Sequence, residues 1–186
     1  MVSESVPGGF ALMYTVLRGF EDSGRCRRGY FVNTLGAAQF STSEVVDRLR
    51  AYGDRVGPAN APAAVTLAAT DPANPFGAAL AWPATAGGHR PGRKAGALVV
   101  LIDGELALYV ERGGKTVLTF TTDPGALHGA AGSLAAVVDH GGVDKIVIEK
   151  VDGESVHTSP LSPVLVEAGF AATPRGLRKR ALHARG

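Results

Sequence analysis

Clusters of arginine and lysine are the residues of this sequence whose type and spacing most clearly predict a chemical role. Three short segments, 25–28, 90–94 and 175–185, hold three, three and five basic residues and contain no acid. The formal net charge of the chain is only +2, so the remaining residues are acidic overall. Clustered cations matter more than net charge for binding a polyanion such as nucleic acid. The residues that we expect to contact phosphates are Arg25, Arg27, Arg28, Arg93, Lys94, Arg175, Arg178, Lys179 and Arg180. The alternative is that the three segments are simply solvated loops.

Other patterns that could carry chemistry are incomplete. Gly114-Lys115-Thr116 is similar to the end of a phosphate-binding P-loop, but Tyr109 stands where that motif requires a glycine. A strand is predicted to follow, so no helix N-terminus would be present to hold phosphates. The five histidines have no metal-ligand spacing to each other or to Cys26. No nucleophile elbow is present. We therefore assign no catalytic residue and no metal ligand.

A three-stranded meander is the element around which the rest of the chain is arranged. Residues 96–102 are an unbroken apolar run, which predicts a strand buried on both faces. Asp103-Gly104 predicts a two-residue hairpin turn. A second strand is expected over 105–111 and a third over 115–120, after the turn at Gly113-Gly114. In the second strand, simple alternation predicts one shared face for Leu106, Leu108 and Val110.

The residues before the meander indicate a different kind of unit. An amphipathic helix is predicted over 7–23, followed by a basic turn and strand over 24–32, the order found in the last part of a winged helix. A second helix, 42–52, is expected to point Val45, Val46, Leu49 and Tyr52 inward. Residues 53–63 are rich in Gly, Pro and Ala, which is typical of a linker or a long loop. We therefore expect a partial winged-helix element with a connecting helix over 1–52 and a terminal module over 53–186.

The terminal module is predicted to mix strands and helices. A strand over 65–69 precedes a proline-rich, rigid loop at 70–77. After the meander come a helix of about fifteen residues from Pro124, an alternating strand over 145–151 and a short helix over 160–168. The expected fold class is α+β, with a partial winged-helix element followed by a mainly antiparallel β-sheet or barrel-like module with packed helices.

The tail after the last helix is expected to display cations. Pro174 and Gly176 predict a bend, and the stretch 173–180 alternates too poorly to predict a core strand. We expect Arg178, Lys179 and Arg180 to project together from this bend, with Leu177 as an apolar anchor.

The cysteine content and the length of the apolar runs predict where in the cell the chain is found. The single cysteine excludes a disulfide framework and favours a reducing compartment. No apolar run approaches the roughly 20 residues that a membrane-spanning helix needs. We expect a cytoplasmic protein that has no membrane partner.

Several strings in this chain together resemble the C-terminal end of the large helicase-related (Lhr) proteins. The resemblance extends over nearly the whole chain in consistent order, and TDPANPFG and GALVVLIDGELALY are its most specific strings. The matching segments are residues 27–40, 45–50, 67–83, 93–116 and 169–181.

The resemblance implies a parent protein that is a superfamily 2 ATP-dependent helicase. Such proteins move along single-stranded DNA and unwind duplexes, RNA–DNA hybrids included, with the motor in the N-terminal part. The resemblance implies that this chain is a terminal piece without the motor, so ATP and Mg²⁺ are expected only for the parent motor and no cofactor is expected here. The implied partners are single-stranded DNA or an RNA–DNA hybrid and the remainder of the parent helicase, with a second copy of the chain, as in a homo-oligomer, as a further alternative. The implied process is DNA repair.

Three functions therefore remain open. The chain could be a nucleic-acid-binding and assembly module that positions a strand through phosphate contacts. A weaker resemblance runs to the AlkZ family of DNA glycosylases, and some Lhr extensions are credited with uracil-DNA glycosylase activity. These resemblances imply that the chain could instead complete a glycosylase site, for which Asp71 and Gln39 are the first polar side chains to test. The third alternative is a structural oligomerisation domain.

Overall fold

The structure is a computed structural model that describes residues 9–32, 36, 38–53, 63–85 and 89–181. The chain divides into two compact units, Met1–Asn60 and Ala61–Gly186. The division falls within the stretch 53–63 that composition marks as a linker, and most of that stretch lies outside the described residues. Among the helices that the structure describes, none is both long and apolar enough to span a membrane.

Among its described residues, the first unit contains two helices and a pair of antiparallel strands. Its elements are α1 (Gly9–Asp22), β1 (Arg27–Gly29), β2 (Gln39–Ser41) and α2 (Ser43–Gly53). β1 and β2 pair in antiparallel fashion, and the ring of Phe40 on β2 meets that of Tyr14 on α1 edge-on, with the centroids 5.8 Å apart. The buried Cys26 thiol donates to the carbonyl oxygen of Leu17 at 3.4 Å. This pair of strands is thereby held against α1, an arrangement consistent with the last part of a winged helix.

The predicted inner face of α2 is mostly exposed. Val46 is buried, whereas Val45, Leu49 and Tyr52 are 43%, 46% and 58% exposed. The prediction that all four side chains point inward is therefore wrong for three of them. Helical periodicity identifies an apolar side, but burial also requires a neighbouring element to cover that side.

The second unit contains nine strands, two α-helices and a 3₁₀ turn at Val156–Thr158 among the described residues. The strands are β3 (Ala64–Ala68), β4 (Leu98–Ile102), β5 (Glu105–Val110), β6 (Thr116–Thr119), β7 (Lys145–Ile148), β8 (Lys150–Val151), β9 (Glu154–Ser155), β10 (Ala171–Thr173) and β11 (Gly176–Arg180). The helices are α3 (Pro124–Asp139) and α4 (Leu161–Glu167). α3 begins where Asp123 accepts a hydrogen bond from the amide of Ala126 at 2.7 Å, with Pro124 in the first turn.

The predicted meander is confirmed and extends into a larger sheet. β4, β5 and β6 are neighbouring antiparallel strands of a six-stranded sheet in the order β3-β4-β5-β6-β8-β9. The turn between β4 and β5 has positive φ angles at Asp103 (50°) and Gly104 (87°), as a two-residue hairpin of this kind requires. One face of the sheet packs against α3 and α4. The other face packs against residues of the 69–93 segment.

A β-bulge changes which side chains of β5 share a face. The register between β4 and β5 shifts between Val100 and Leu101, which leaves Ala107 as an extra residue in β5. Leu106 consequently packs with Tyr109, whereas Leu108 and Val110 pack on the opposite face, toward α3. The prediction that Leu106 shares a face with Leu108 and Val110 is wrong because one inserted residue reverses the alternation beyond it.

The described strands form open sheets and do not close into a barrel. β3 and β9 are the two edges of the six-stranded sheet. The predicted strand 145–151 is divided, because β7 joins a separate three-stranded sheet in the order β10-β11-β7 while β8 joins the larger sheet. The barrel-like part of the expected fold class is thus corrected, and the α+β class with mostly antiparallel strands stands.

The basic tail predicted at 173–180 contains β11, which is the central strand of the three-stranded sheet. β11 pairs in antiparallel fashion with β10 on one side and β7 on the other. The expectation that this stretch is not a core strand is wrong, because Leu177 is buried and faces the same core as Ile146 and Ile148. β11 alternates as a central strand does, with the odd positions 177 and 179 turned toward the helices.

Candidate nucleic-acid interface

Arg93 is held inside its own loop. Its Nη1 donates to the carbonyl oxygen of Asn74 at 2.7 Å, and its Nη2 donates to the carbonyl oxygens of Asp71 at 3.0 Å and Thr70 at 3.1 Å. One guanidinium therefore fastens the end of the 69–93 segment to its beginning. Phosphate binding by Arg93 stays a prediction, and these bonds weigh against it because they use the outer nitrogens of the guanidinium.

The rest of this loop is also closed by hydrogen bonds and ring contacts. The buried amide of Asn74 donates to the carbonyl oxygen of Ala69 at 2.9 Å and accepts from the amide of Phe76 at 3.1 Å. Trp82 stacks on Phe76 and meets Tyr109 edge-on, with centroids 6.1 and 5.6 Å apart. The structured loop predicted at 70–77 is confirmed, and Phe76 and Trp82 pack in the core on one face of the six-stranded sheet.

Two of the three arginines in the predicted cluster at 25–28 contact other residues of the first unit. Arg28 donates to the hydroxyl of Tyr14 at 2.8 Å, and its Nε lies 3.4 Å from Oε1 of Glu21. The guanidinium of Arg25 lies over the ring of Phe20, 5.7 Å from the centroid. Arg27 is exposed on β1. Phosphate binding by Arg25, Arg27 and Arg28 stays a prediction, and Arg27 is the one of these three for which no contact within the described residues is found.

Lys179 points inward, away from its two basic neighbours. Its Nζ lies 2.9 Å from Oδ2 of Asp139, the last residue of α3, and donates to the carbonyl oxygen of Ala168, the C-cap of α4, at 3.2 Å. The side chain is only 12% exposed. An ammonium group at the C-terminal ends of two helices is favourable because both ends carry partial negative charge. The expectation that Lys179 projects together with Arg178 and Arg180 is wrong.

Arg178 and Arg180 lie on the opposite face of β11, and β7 adds a lysine to them. Arg178 stands opposite Val147, and Arg180 stands opposite Lys145. With Arg175 in the turn between β10 and β11, these side chains line a shallow groove of about 410 Å³. We call this surface the basic face and define it by Lys145, Arg175, Arg178 and Arg180. The other residues of the groove are Val147, Thr173 and Pro174, so no acid lines it.

The basic face is electrostatically unbalanced. Within the described residues, none of its four cations forms an ion pair. Lys145 and Arg180 are direct cross-strand partners, and like charges in that position destabilise a sheet. The electrostatic repulsion within such a cluster of cations decreases when an anion binds between them.

Sequence reasoning placed three of these four residues together and missed Lys145. The alternation of β7, with Ile146 and Ile148 buried, indicates that Lys145 faces outward. The antiparallel register that sets Lys145 against Arg180 has no signal in the sequence. Lys94 is exposed but lies outside the groove, so the structure does not bring it together with the basic face.

Comparisons with known proteins fit the order of elements found here. Residues 1–61 match the winged-helix domain of large helicase-related proteins. The Lhr helicase/probable uracil glycosylase of Mycolicibacterium smegmatis is 50% identical over 96% of this chain, and the Lhr helicase/uracil glycosylase of Escherichia coli is 37% identical over 95%. The chain belongs to the Lhr family. It spans about 12% of the length of each of these relatives.

The two side chains that the glycosylase alternative singled out have local partners in this Lhr chain. Oε1 of Gln39 accepts from the amides of Phe31 and Val32, both at 2.8 Å. Oδ1 of Asp71 accepts from the amide of Ala73 at 2.8 Å, as a turn-capping aspartate does. The two residues belong to different units.

A cavity of about 450 Å³ in the second unit holds a further carboxylate. It is lined mainly by apolar and threonine side chains from the segments 83–85, 118–122 and 152–153. Oδ1 of Asp152 accepts from the amide of Thr119 at 2.9 Å, and Oδ2 accepts from its hydroxyl at 2.6 Å. The carboxylate therefore joins the turn after β8 to β6.

The P-loop-like string of this Lhr chain does not form a phosphate site. Gly114 lies in the turn before β6 with a φ of 81°, and Nζ of Lys115 lies 3.4 Å from Glu149. A strand follows in place of a helix N-terminus, so the residues present do not fit the phosphates of ATP. In the described parts of the chain, no cluster of His, Cys, Asp and Glu has the arrangement of a metal site.

Proposed function

We propose that this chain is a nucleic-acid-binding module from the C-terminal part of an Lhr helicase, and that its basic face holds the phosphates of single-stranded DNA or of an RNA–DNA hybrid. The observation that carries the proposal is the groove at 175–180, in which four of seven lining residues are basic and none is acidic. In this proposal ATP and Mg²⁺ act in the motor of the parent protein, and the remainder of that protein is the module's partner.

The spacing of the cations suits a phosphate backbone. Arg178 and Arg180 are two residues apart on one strand, about 6.7 Å by the ordinary rise of a β-strand. Lys145 lies across from Arg180, with about 5 Å between the Cβ atoms of such a pair. These side chains can contact neighbouring phosphates of one strand. No aromatic residue lines the groove, so the contacts position a strand and do not distinguish its bases.

The test is the salt dependence of binding of the 186-residue chain to a mixed-sequence single-stranded oligonucleotide. Each phosphate contact contributes about −0.7 to the slope of log affinity against log salt. Replacing Arg178 and Arg180 by Gln should therefore weaken binding and flatten the slope by about 1.4. Because the change also removes the repulsion with Lys145, the free energy of unfolding should stay the same or rise by up to about 1 kcal/mol.

A matched control removes two charges outside the predicted clusters. Arg48 and Arg112 are exposed, and their replacement by Gln changes the net charge by the same amount. The control variant should keep the parent slope. If both double variants flatten the slope equally, the basic face is no more than part of a general positive field, and the proposal fails.

The names of the two relatives favour one second candidate, a contribution to uracil-DNA glycosylase activity. Gln39 and Asp71 are its starting points in this chain, although both already have local hydrogen-bond partners. Incision of a uracil-containing oligonucleotide, with Gln39→Ala and Asp71→Ala as variants, tests it. Activity that both variants retain would remove these residues from consideration.

A further inference from the structure

The outer edge of β7 has no neighbouring strand in the described part of the chain. β7 is the last strand of the three-stranded sheet and pairs only with β11. The amide of Ala181 donates to the carbonyl oxygen of Asp144, and from this pair the antiparallel ladder assigns the even-numbered positions of β7 to β11. The amides and carbonyls of Lys145 and Val147 therefore face away from β11.

A cleft of about 210 Å³ lies along this outer edge. Gly114, in the turn before β6, forms part of its wall. A Cβ at Gly114 would lie 3.3 Å from the amide nitrogen and 3.4 Å from the carbonyl oxygen of Val147, so any side chain there would cover these two groups. The edge closes two residues further on, where the amide of Glu149 donates to the carbonyl oxygen of Lys115.

The cleft is continuous with the basic face. Lys145 and Val147 line both the cleft and the groove that contains the basic face. The side chain of Lys145 belongs to the basic face, whereas its backbone lies on the open edge of β7. A strand whose phosphate contacts Lys145 therefore has the cleft directly beside it.

The chemistry of the cleft indicates what enters it. Its walls are mostly glycine and aliphatic, and Leu98, Val110 and Val143 are among the lining residues. One acid, Glu111, also lines it, and the carboxylate lies 3.4 Å from Nδ1 of His89. A carboxylate repels a phosphate but accepts hydrogen bonds from a neutral amine or amide. The cleft therefore suits a neutral group that has both hydrogen-bond donors and acceptors.

We propose that the cleft binds one base of the nucleic-acid strand whose phosphates lie on the basic face. A base is flat, its faces are apolar, and its edge carries donors and acceptors that can bond to the open amide and carbonyl of Val147. The volume is below the roughly 300–1,000 Å³ of pockets for larger ligands, so it suits a single ring system. The inference rests on the proposed function and adds a base contact to the phosphate contacts of the groove.

An extended peptide is the other occupant that an open strand edge can bind. It fits this edge less well, because only positions 145 and 147 are open before Lys115 covers position 149. Strands usually have about 3–10 residues, so two positions offer little pairing. The cations beside the cleft also favour a polyanion.

A strand without bases tests the inference on the parent chain. A mixed-sequence single-stranded oligonucleotide and its abasic analogue carry the same phosphates, so the basic face binds both alike. The parent chain should bind the strand with bases about tenfold more tightly, the factor that one net hydrogen bond supplies. Equal affinities would overturn the inference and leave the open edge to a peptide. Absence of binding to both strands would overturn the proposed function as well.

A variant that fills the cleft assigns the preference for bases to this site. Val143 is half-buried in the wall, and Val143→Phe should make the two affinities equal without changing the salt slope. Val166→Phe adds the same ring at an exposed position of α4 and should keep the preference of the parent chain. Circular dichroism checks each fold, and Leu98→Phe fills the same cleft from β4 if Val143→Phe is unfolded. A folded filling variant that keeps the preference would overturn the inference.

The variant with Gln at positions 178 and 180 separates this inference from the proposed function. It should flatten the salt slope and keep the preference for the strand with bases, because it leaves the cleft intact. An unchanged slope contradicts phosphate binding by the basic face. A flattened slope in a chain that never distinguishes the two strands contradicts the base site alone.

Discussion

The 69–93 loop and the basic face use the same kind of side chain in opposite ways. In the loop, Arg93 donates to backbone carbonyl oxygens at 2.7 to 3.1 Å and joins two ends of one segment. On the basic face, Arg178 and Arg180 have no ion-pair partner among the described residues and stand beside another cation. A cation surrounded by carbonyl oxygens stabilises the fold. A cation surrounded by other cations raises the free energy of the isolated chain, and its benefit arises only when an anion binds.

Neighbouring residues of β11 include both a cation held by oxygen atoms of the fold and cations that stand beside other cations. Lys179 faces the C-terminal ends of α3 and α4 and pairs with Asp139, whereas Arg178 and Arg180 face solvent. The period of two in a β-strand separates them. Positively charged residues in one short run can therefore have structural and binding roles in alternation, and net charge along the sequence does not distinguish them.

The comparison predicts that substitution of Arg93 causes the largest change in the free energy of unfolding. Arg93→Gln removes charge-assisted hydrogen bonds to three or more loop carbonyls and should lower the free energy of unfolding by about 2–4 kcal/mol. Urea denaturation of the two chains measures this loss. Arg90→Gln, three residues earlier and exposed, should change the stability by less than about 0.5 kcal/mol. If the two variants unfold alike, Arg93 does not fasten the loop, and it returns to the candidate interface.

A smaller effect is expected at Lys179, where the pair with Asp139 is partly exposed. Lys179→Gln should lower the free energy of unfolding by about 1–2 kcal/mol, because the charge at two helix ends is lost. It should leave the salt slope of strand binding unchanged. Arg178→Gln, its neighbour on the other face, should do the opposite: little change in stability and a slope flatter by about 0.7. Identical behaviour of the two variants would remove the distinction between the faces of β11.

The sequence predicts the elements of this fold better than their pairing. Asp103-Gly104 and the apolar run before it are strong local signals, and the structure has a hairpin there. The bulge at Ala107 had no signal, because residues 106–110 are apolar on both faces and a shift of one residue leaves the pattern unchanged. The barrel-like expectation failed for a related reason. Closure depends on which strands meet at the edges, and that is a long-range property.

The candidate site follows the same division between local and long-range information. The cluster at 175–180 is visible as a run of charges, and strand alternation from Leu177 would have turned Lys179 inward. The sequence does not indicate the partners of Lys179, because they lie at the ends of α3 and α4, which are distant in sequence. Lys145 becomes part of the basic face only through the register of β7 with β11. The bonds of Arg93 likewise join residues about twenty positions apart.

The smallest expected effect concerns Tyr109, which supports the Arg93 end of the loop. Its hydroxyl donates to the carbonyl oxygen of Gly92 at 3.1 Å, and burial, the largest cause, raises the pKa of this hydroxyl. A raised pKa in the folded state means that the stabilisation is complete below the ordinary tyrosine pKa of about 10 and is lost as the pH rises through the folded value. Tyr109→Phe should therefore cost about 1 kcal/mol near neutral pH. The difference in free energy of unfolding between the parent chain and the variant should shrink in alkaline solution, where the parent loses stability and the variant lacks the group that ionises.

Unfolding in urea at neutral and alkaline pH measures both quantities, and Tyr30→Phe, at a side chain that is 92% exposed, controls for the removal of a phenol. A difference between parent and Tyr109→Phe that is constant with pH would show that the hydroxyl is not held in the protonated form by the loop.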